Sequence, residues 1–363
     1  MRTLALGFCL AVLGVLLCGA VAAEAPGTMT LSFIGDCSLG DAVQFRNAKS
    51  GFTAAILENG VEWPFSTVAE YFTADDCTFA NLEVVLTEHA GQKANKAYPL
   101  IGRPEFAQCL TAGGIDVVNT VNNHCRDFGA VGYNDTLANL EAAGVACFGS
   151  TDWGNHPEWD IIISREVKGC RIGMIGLSYP QDSDLKHIAD GIRRLREEEG
   201  CQLIVVSLHW GREAHLTPNA GQFPFARKVI DSGADVVWGH HPHVLQPTYF
   251  YKGKPIFFST GNFVFGTISS LDPYTGIFQL TYDLDAEGNP TLRCFSTVPL
   301  RFRKGGGEFR PLVLTEEADI RTFRSRVRGK AVKSVDALPE GFLDTGEVWL
   351  LEDGSLSAVK PEE

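Results

Sequence analysis

Positive charge is in short supply. Lys and Arg number 31 against 44 Asp and Glu, a formal net charge of −13. A protein that grips nucleic acid through its phosphates needs a basic face to displace counterions, so this balance argues against a nucleic-acid partner. A local basic cleft for an anionic substrate remains compatible with it. Past residue 23 no apolar run is long enough to cross a bilayer, which takes about 20 residues; that excludes a polytopic membrane protein. No Cys-x-x-Cys pair occurs, which removes the usual cysteine zinc sites. Tandem repeats and low-complexity tracts are also absent. With 45% hydrophobic and 21% charged residues, the chain is neither disordered nor collagen-like. At about 150 residues per domain, 363 residues make two domains or one large α/β domain. Either can bury a sizeable core without disulfides.

The start of the chain has the pattern of a targeting segment. Arg2 is its only charge before Glu24, and the stretch between them is rich in Leu, Val and Ala, ending in Val21-Ala22-Ala23. Residues 1–23 are therefore expected to act as a signal peptide, or as an uncleaved anchor. Either outcome exports the protein, to the periplasm or the extracytoplasmic face of the envelope. Of ten cysteines, Cys9 and Cys18 fall in this segment and eight remain. They are spread evenly and several sit in apolar runs, so buried free thiols are expected.

Short apolar runs alternate with stretches of helical spacing. Leu31–Ile34, Cys77–Ala80, Val117–Val121, Arg171–Gly176, Leu203–Leu208 and Val236–Trp238 read as buried strands; Arg103–Ala112, Tyr133–Ala143, Lys186–Glu199 and Phe223–Ser232 read as helices. Gly113-Gly114, Gly144, Gly200 and Gly233 sit at plausible helix ends. This alternation predicts a layered α/β domain. Residues 264–330 read as its closing hairpin and helix. The end, 334–363, reads as an acidic, weakly patterned tail.

The chemistry is concentrated at the strand ends. Gly35-Asp36, Asn81-Leu82-Glu83, Asn122-Asn123-His124, His209-Trp210-Gly211 and Gly239-His240-His241-Pro242-His243 each come directly after an expected strand. Sites in α/β sheets form beyond the carboxyl ends of the strands, so these residues should converge on one edge. Imidazole with carboxylate is a ligand set for Zn, Fe or Mn. Taken singly, Asp36 is equally a helix cap, Asn123 a turn residue, Glu83 a loop charge and His209 a core histidine. The ordered set, with three histidines in five residues on a tight loop, is far more specific than any member. His240, between the alternating pair, is expected to point away from the cluster.

These motifs, together with Asp127, Gly129, Glu213, Gly233-Ala234-Asp235, Val244, Gln246 and Ser259-x-Gly261-Asn262-Phe263, resemble the CapA family of poly-gamma-glutamate capsule-biosynthesis proteins, a branch of the calcineurin-like metallophosphoesterases. The resemblance covers residues 30 to about 315. It implies a four-layer αββα metallophosphoesterase-like sandwich over residues 30–330, and a centre for one or two divalent metal ions. It implies Asp36, Glu83 and His243 at a first metal, with Glu83 bridging, and Asn123, His209 and His241 at a second. It implies His124 as the catalytic histidine that assists the leaving group. Asp127 and Glu213 are either residues that orient ligand imidazoles or ordinary loop charges. Asn262 either touches substrate or makes its turn. Ser38 stands where the wider superfamily has a histidine, and Asp41 where the branch often has arginine; an acid there would repel an anionic substrate. The implied partners are an anionic envelope polymer or phosphoester substrate and membrane-bound capsule-synthesis machinery. The function expected is metal-dependent phosphoester-type hydrolysis in capsule synthesis. Its alternatives are a general exported nucleotidase or phosphodiesterase, and a non-enzymatic polymer-binding assembly factor.

Overall fold

The computed structural model describes residues 27–150, 160–266, 272–302 and 308–362. The expected targeting segment 1–23 lies outside the described residues.

Two β-sheets lie face to face. In the first, the strand Thr28–Ser38 is flanked in parallel by Cys77–Leu82 and Asn262–Phe265 and antiparallel by Tyr274–Leu284. Val117–Asn119 and Ala146–Ser150 extend one side in parallel, and Pro290–Phe302 extends the other as the expected hairpin. In the second, Cys170–Ser178, Leu203–His209, Val236–His240 and Lys254–Phe257 run parallel. Among the described residues, the pairing of Leu177 with Ser150 joins the two sheets.

Side-chain alternation makes the layers. Leu31 and Phe33 point between the sheets, where they meet Leu203, Val205, Val236 and Trp238. Phe33 stacks on Phe79 at 4.9 Å and meets Trp238 of the facing sheet at 5.6 Å. The alternate residues Ile204, Val206 and Leu208 point outward and are covered by Ile188, Ile192 and Leu195 of helix Leu185–Glu197, and by Phe225, Val229 and Ile230 of helix Gln222–Asp231. On the other outer face, Ile34 and Leu82 pack with Phe52, Ile56, Leu110 and Leu140, which helices supply. The result is helix, sheet, sheet, helix. Strands covered on both faces explain why the sequence reads as continuous apolar runs there. The eight cysteines of the described residues are free; seven are buried and Cys147 is half-buried.

Two sequence expectations meet a different outcome. Asp41 does not face the substrate edge. Its carboxylate is buried and accepts the backbone N–H groups of Phe52 (2.8 Å) and Thr53 (2.9 Å), so it caps helix Phe52–Asn59 and satisfies donors that a helix start leaves bare. Part of the acidic end is also built into the domain. Glu347–Leu350 pairs antiparallel with Pro290–Phe302, and Phe342 and Val348 are fully buried between the sheets. The surrounding charges mask a few apolar anchors. Phe342→Ala should therefore destabilise the whole domain by about 3–5 kcal/mol, read as a lower denaturant midpoint; a surface-like change would show that this segment is not part of the core.

Candidate metal centre

The loops that leave the strand ends meet at one edge of the sandwich. Close backbone approach makes this possible. A Cβ on Gly35 would lie 2.0 Å from the Gly261 carbonyl oxygen, and the Asp36 N–H donates to that oxygen at 2.8 Å. Only glycine admits the contact, and it locks Asp36 into place. Two histidines take left-handed backbone, His241 at φ 94° and His243 at φ 57°. Such conformations cost energy and persist where surrounding structure imposes them.

Asp36 is fully buried. One oxygen accepts from Asn81 Nδ2 at 2.9 Å and faces His240 Nδ1 at 3.0 Å; the other lies 3.3 Å from His243 Nδ1. Burial opposes ionisation, but the hydrogen bonds and charge of His240 and His243 outweigh it and hold this carboxyl well below the usual range. Glu83 follows the strand Cys77–Leu82 and is anchored by its own N–H to the Cys37 carbonyl at 2.8 Å. It too is fully buried, yet neither carboxylate oxygen has a hydrogen-bond partner. Three imidazoles surround Oε1: His243 Nε2 at 3.6 Å, with His124 Nε2 and His209 Nε2 each at 3.9 Å. Burial pushes the Glu83 carboxyl well above its ordinary value, the His243 charge opposing and Asp36 adding to it.

This is the fit expected of a cation site. A buried carboxylate with no partner costs several kcal/mol unless a charge completes it. Ligand atoms of Asp36, Glu83 and His209 lie within 4.8 Å of one another, as do those of Glu213, His241 and His243. The donor set is oxygen and imidazole nitrogen, suited to a divalent ion such as Mn, Fe or Zn. The first grouping brings Asp36 of the implied first site and His209 of the implied second together around Glu83, the residue the resemblance places between them. The short His243–Glu83 approach joins the two groupings.

The other expected site residues fall around this cluster. Asn123 Oδ1 lies 2.8 Å from His209 Nε2. His124 Nδ1 lies 2.7 Å from Asp127 Oδ2. A carboxylate only accepts, so Nδ1 carries the hydrogen and Nε2 faces the cluster. Burial lowers the His124 pKa, against the pull of Asp127. Asp127 thus orients an imidazole rather than standing as a loop charge. Asn262 grips His243, its Oδ1 2.9 Å from Nδ1 and its Nδ2 donating to the His243 carbonyl at 3.3 Å. Glu213 is exposed and reaches toward His241 and His243.

His240 corrects its expectation. It is buried, bonds Asp36 and lies edge-on over Trp238 at 4.1 Å. The strand Val236–His240 continues through it, so His240 shares the inter-sheet face of Trp238, and alternation breaks only at the left-handed His241. The alternating pair alone therefore points it to the wrong side. Three further contributors carry little or no sequence signal. Tyr179 OH lies 3.1 Å from His241 Nε2. It comes directly after the observed strand Cys170–Ser178, which corresponds to Arg171–Gly176, the one expected strand with no acid, amide or imidazole at its end. Asn119 donates to Asn81 at 2.8 Å, and Asn81 in turn donates to Asp36. Lys96 lies on an unpatterned loop.

A family model described as bacterial capsule synthesis protein PGA_cap matches residues 30–267. The capsule biosynthesis protein CapA of Bacillus anthracis is 30% identical over 76% of this chain and 68% of that protein. The PGA biosynthesis protein CapA of Bacillus subtilis is 27% identical over 91% of this chain and 82% of its own. Among solved structures, a phosphatase from Mycoplasma pneumoniae overlays with a TM-score of 0.47 at 13% identity, across 76% of this chain and 95% of that one. The match over residues 30–267 takes in every residue of the cluster, and on that extent the chain belongs to the bacterial capsule synthesis protein family PGA_cap.

Proposed function

We propose that this chain is an exported, metal-dependent, phosphoesterase-like protein that acts in making or handling a polyglutamate-type capsule polymer. One observation carries the reading: a partnerless buried carboxylate ringed by imidazoles, beside a histidine whose far nitrogen is fixed on Asp127. The first feature suits a divalent cation, and the second suits proton transfer to a leaving group. The names of the Bacillus relatives supply the capsule and polyglutamate context. The apolar start, residues 1–23, supports export and a place beside membrane-bound synthesis machinery.

Asp36, Glu83, Asn123, His209, His241 and His243 would hold the metal, with Glu213 at the solvent side. A bound divalent ion, or a pair, would polarise a phosphoryl group and make its attacking water more acidic. The protein's own part is positional. Asn262 fixes the His243 ring and Tyr179 the His241 ring. Asp127 keeps the His124 hydrogen on Nδ1, so Nε2 is the atom that carries a proton to and from the reacting oxygen.

The test is metal analysis of purified protein with a panel of phosphomonoesters, phosphodiesters, nucleotides and glutamate polymers, run with and without added Mn, Fe or Zn. Turnover that follows metal content supports the reading. A preference for nucleotides favours the general nucleotidase alternative. Metal and polymer binding with every ester inert makes the protein an assembly factor instead. A mature N-terminus near Glu24, or a membrane-held full chain, checks export.

A further inference from the structure

The segment Asn122–Asp127 carries two side chains of the cluster, and a lysine from a different loop holds it. Lys96 Nζ lies 2.6 Å from Asp127 Oδ1 and donates to the Asn123 carbonyl at 2.9 Å. The other Asp127 oxygen takes His124 Nδ1 at 2.7 Å and the Leu100 N–H at 2.7 Å. Asp127 is 1% exposed, whereas the Lys96 side chain is 30% exposed. One ammonium at the rim therefore completes a buried carboxylate and pins the backbone next to His124.

We propose that Lys96 is a positioning residue for His124: by tying the Asp127 carboxylate to the Asn123 backbone carbonyl, it fixes the ring whose Nε2 faces Glu83. The inference rests on the reading of His124 as the proton carrier. Its physical basis is the buried acceptor. Charge-assisted hydrogen bonds are short and strong, and a buried carboxylate that loses one of its donors redistributes the rest. Without the ammonium, the Asp127 oxygens have only the His124 ring and the Leu100 N–H to share, and the Asn123 carbonyl loses a donor while the Asn123 side chain keeps His209 at 2.8 Å. The loop itself stays docked, because the Ala94 N–H still donates to the Asp127 carbonyl at 2.7 Å and the Leu100 bond remains. The loss should therefore appear as misplacement of His124 rather than as unfolding.

The experiment uses the full mature chain as wild type, Lys96→Met and Lys96→Arg. Each is assayed metal-loaded with two phosphoesters, one with a high-pKa and one with a low-pKa leaving group, alongside metal content and melting temperature. In Lys96→Met, kcat for the high-pKa ester should fall by about 10–100-fold, the scale on which orienting partners act. KM, metal content and the low-pKa ester should change little, and Lys96→Arg should restore most of kcat. A separate readout needs no turnover: nitrogen NMR of the histidine rings in metal-free protein. The hydrogen should stay on Nδ1 throughout, held by Asp127. The His124 ring signals should coincide in wild type and Lys96→Arg and be shifted or broadened in Lys96→Met, where the Asp127 carboxylate is free to turn and carries the ring with it. Equal losses with both esters, a rise in KM alone, or failure of Arg to rescue would overturn the inference while leaving the hydrolase reading standing. If wild type is inert toward every ester, the hydrolase reading falls and NMR alone decides: His124 signals unmoved in Lys96→Met end the proposal.

Discussion

Glu83→Gln is expected to cost the protein its divalent cation and its turnover together. The change keeps the shape and removes only the charge, so a structural effect has little room. Glu83 is fully buried, both its oxygens lack partners, and three imidazole nitrogens stand 3.6–3.9 Å from one of them. An amide cannot bridge that space as an anionic ligand. Changes that act only outside the ligand shell already cost about 10–100-fold in metal affinity, so loss of this carboxylate should exceed about 100-fold. Stability gives a second sign. Burial raises the Glu83 carboxyl well above its ordinary value. The stability linked to such a group is full below the unfolded pKa, about 4.3, and is lost as pH rises through the folded value. Glutamine carries no such penalty. With chelator at neutral pH, the variant should melt above wild type, and the gap should close in acid. With excess metal the order should reverse, because only wild type gains from binding. A variant that keeps its metal would remove Glu83 from the ligand set.

Much of the architecture was legible because parallel strands covered on both faces must be apolar throughout. Leu203–Leu208 and Val236–Trp238 could scarcely be anything else. The cluster was legible for a related reason: the residue after a buried strand is where the fold places its chemistry. What the sequence hid was direction and reach. Asp41 has the charge of a substrate-edge residue, but its partners are backbone N–H groups eleven and twelve positions away. His240 was misplaced because strand alternation and His-x-His alternation conflict there, and the strand prevails up to His240. Ser38, fully buried, leaves the edge of the site one imidazole short of the wider pattern, and His240 joins His243 as a ring that the structure brings to Asp36. No local pattern reports such contacts, because 204 positions separate the partners. Phe342 and Val348 were hidden by the acids around them.

His124→Ala should act in the opposite way to Glu83→Gln, keeping the metal and losing the proton. Its Nδ1 is committed to Asp127 at 2.7 Å, and its Nε2 stands 3.9 Å from Glu83, too far for a hydrogen bond in the present arrangement. His124 belongs to neither of the two ligand groupings found among the described residues. Metal content should hold. Turnover on an ester with a high-pKa leaving group should fall by roughly 10²–10⁴-fold, the usual contribution of a positioned general acid. An ester whose leaving group departs as a stable anion needs no proton, so its loss should be much smaller. That difference separates proton donation from a general disturbance of the site, which would slow both esters alike. Asp127→Asn adds a directional check. Asn can present its carbonyl to His124 Nδ1 and keep the tautomer, but it offers Lys96 no charge. Its defect should share the leaving-group dependence of His124→Ala and be smaller, since the imidazole is still there. Should His124→Ala empty the site of metal, His124 would be a ligand, and Asn123, which faces His209 Nε2 at 2.8 Å, would become the residue that orients it.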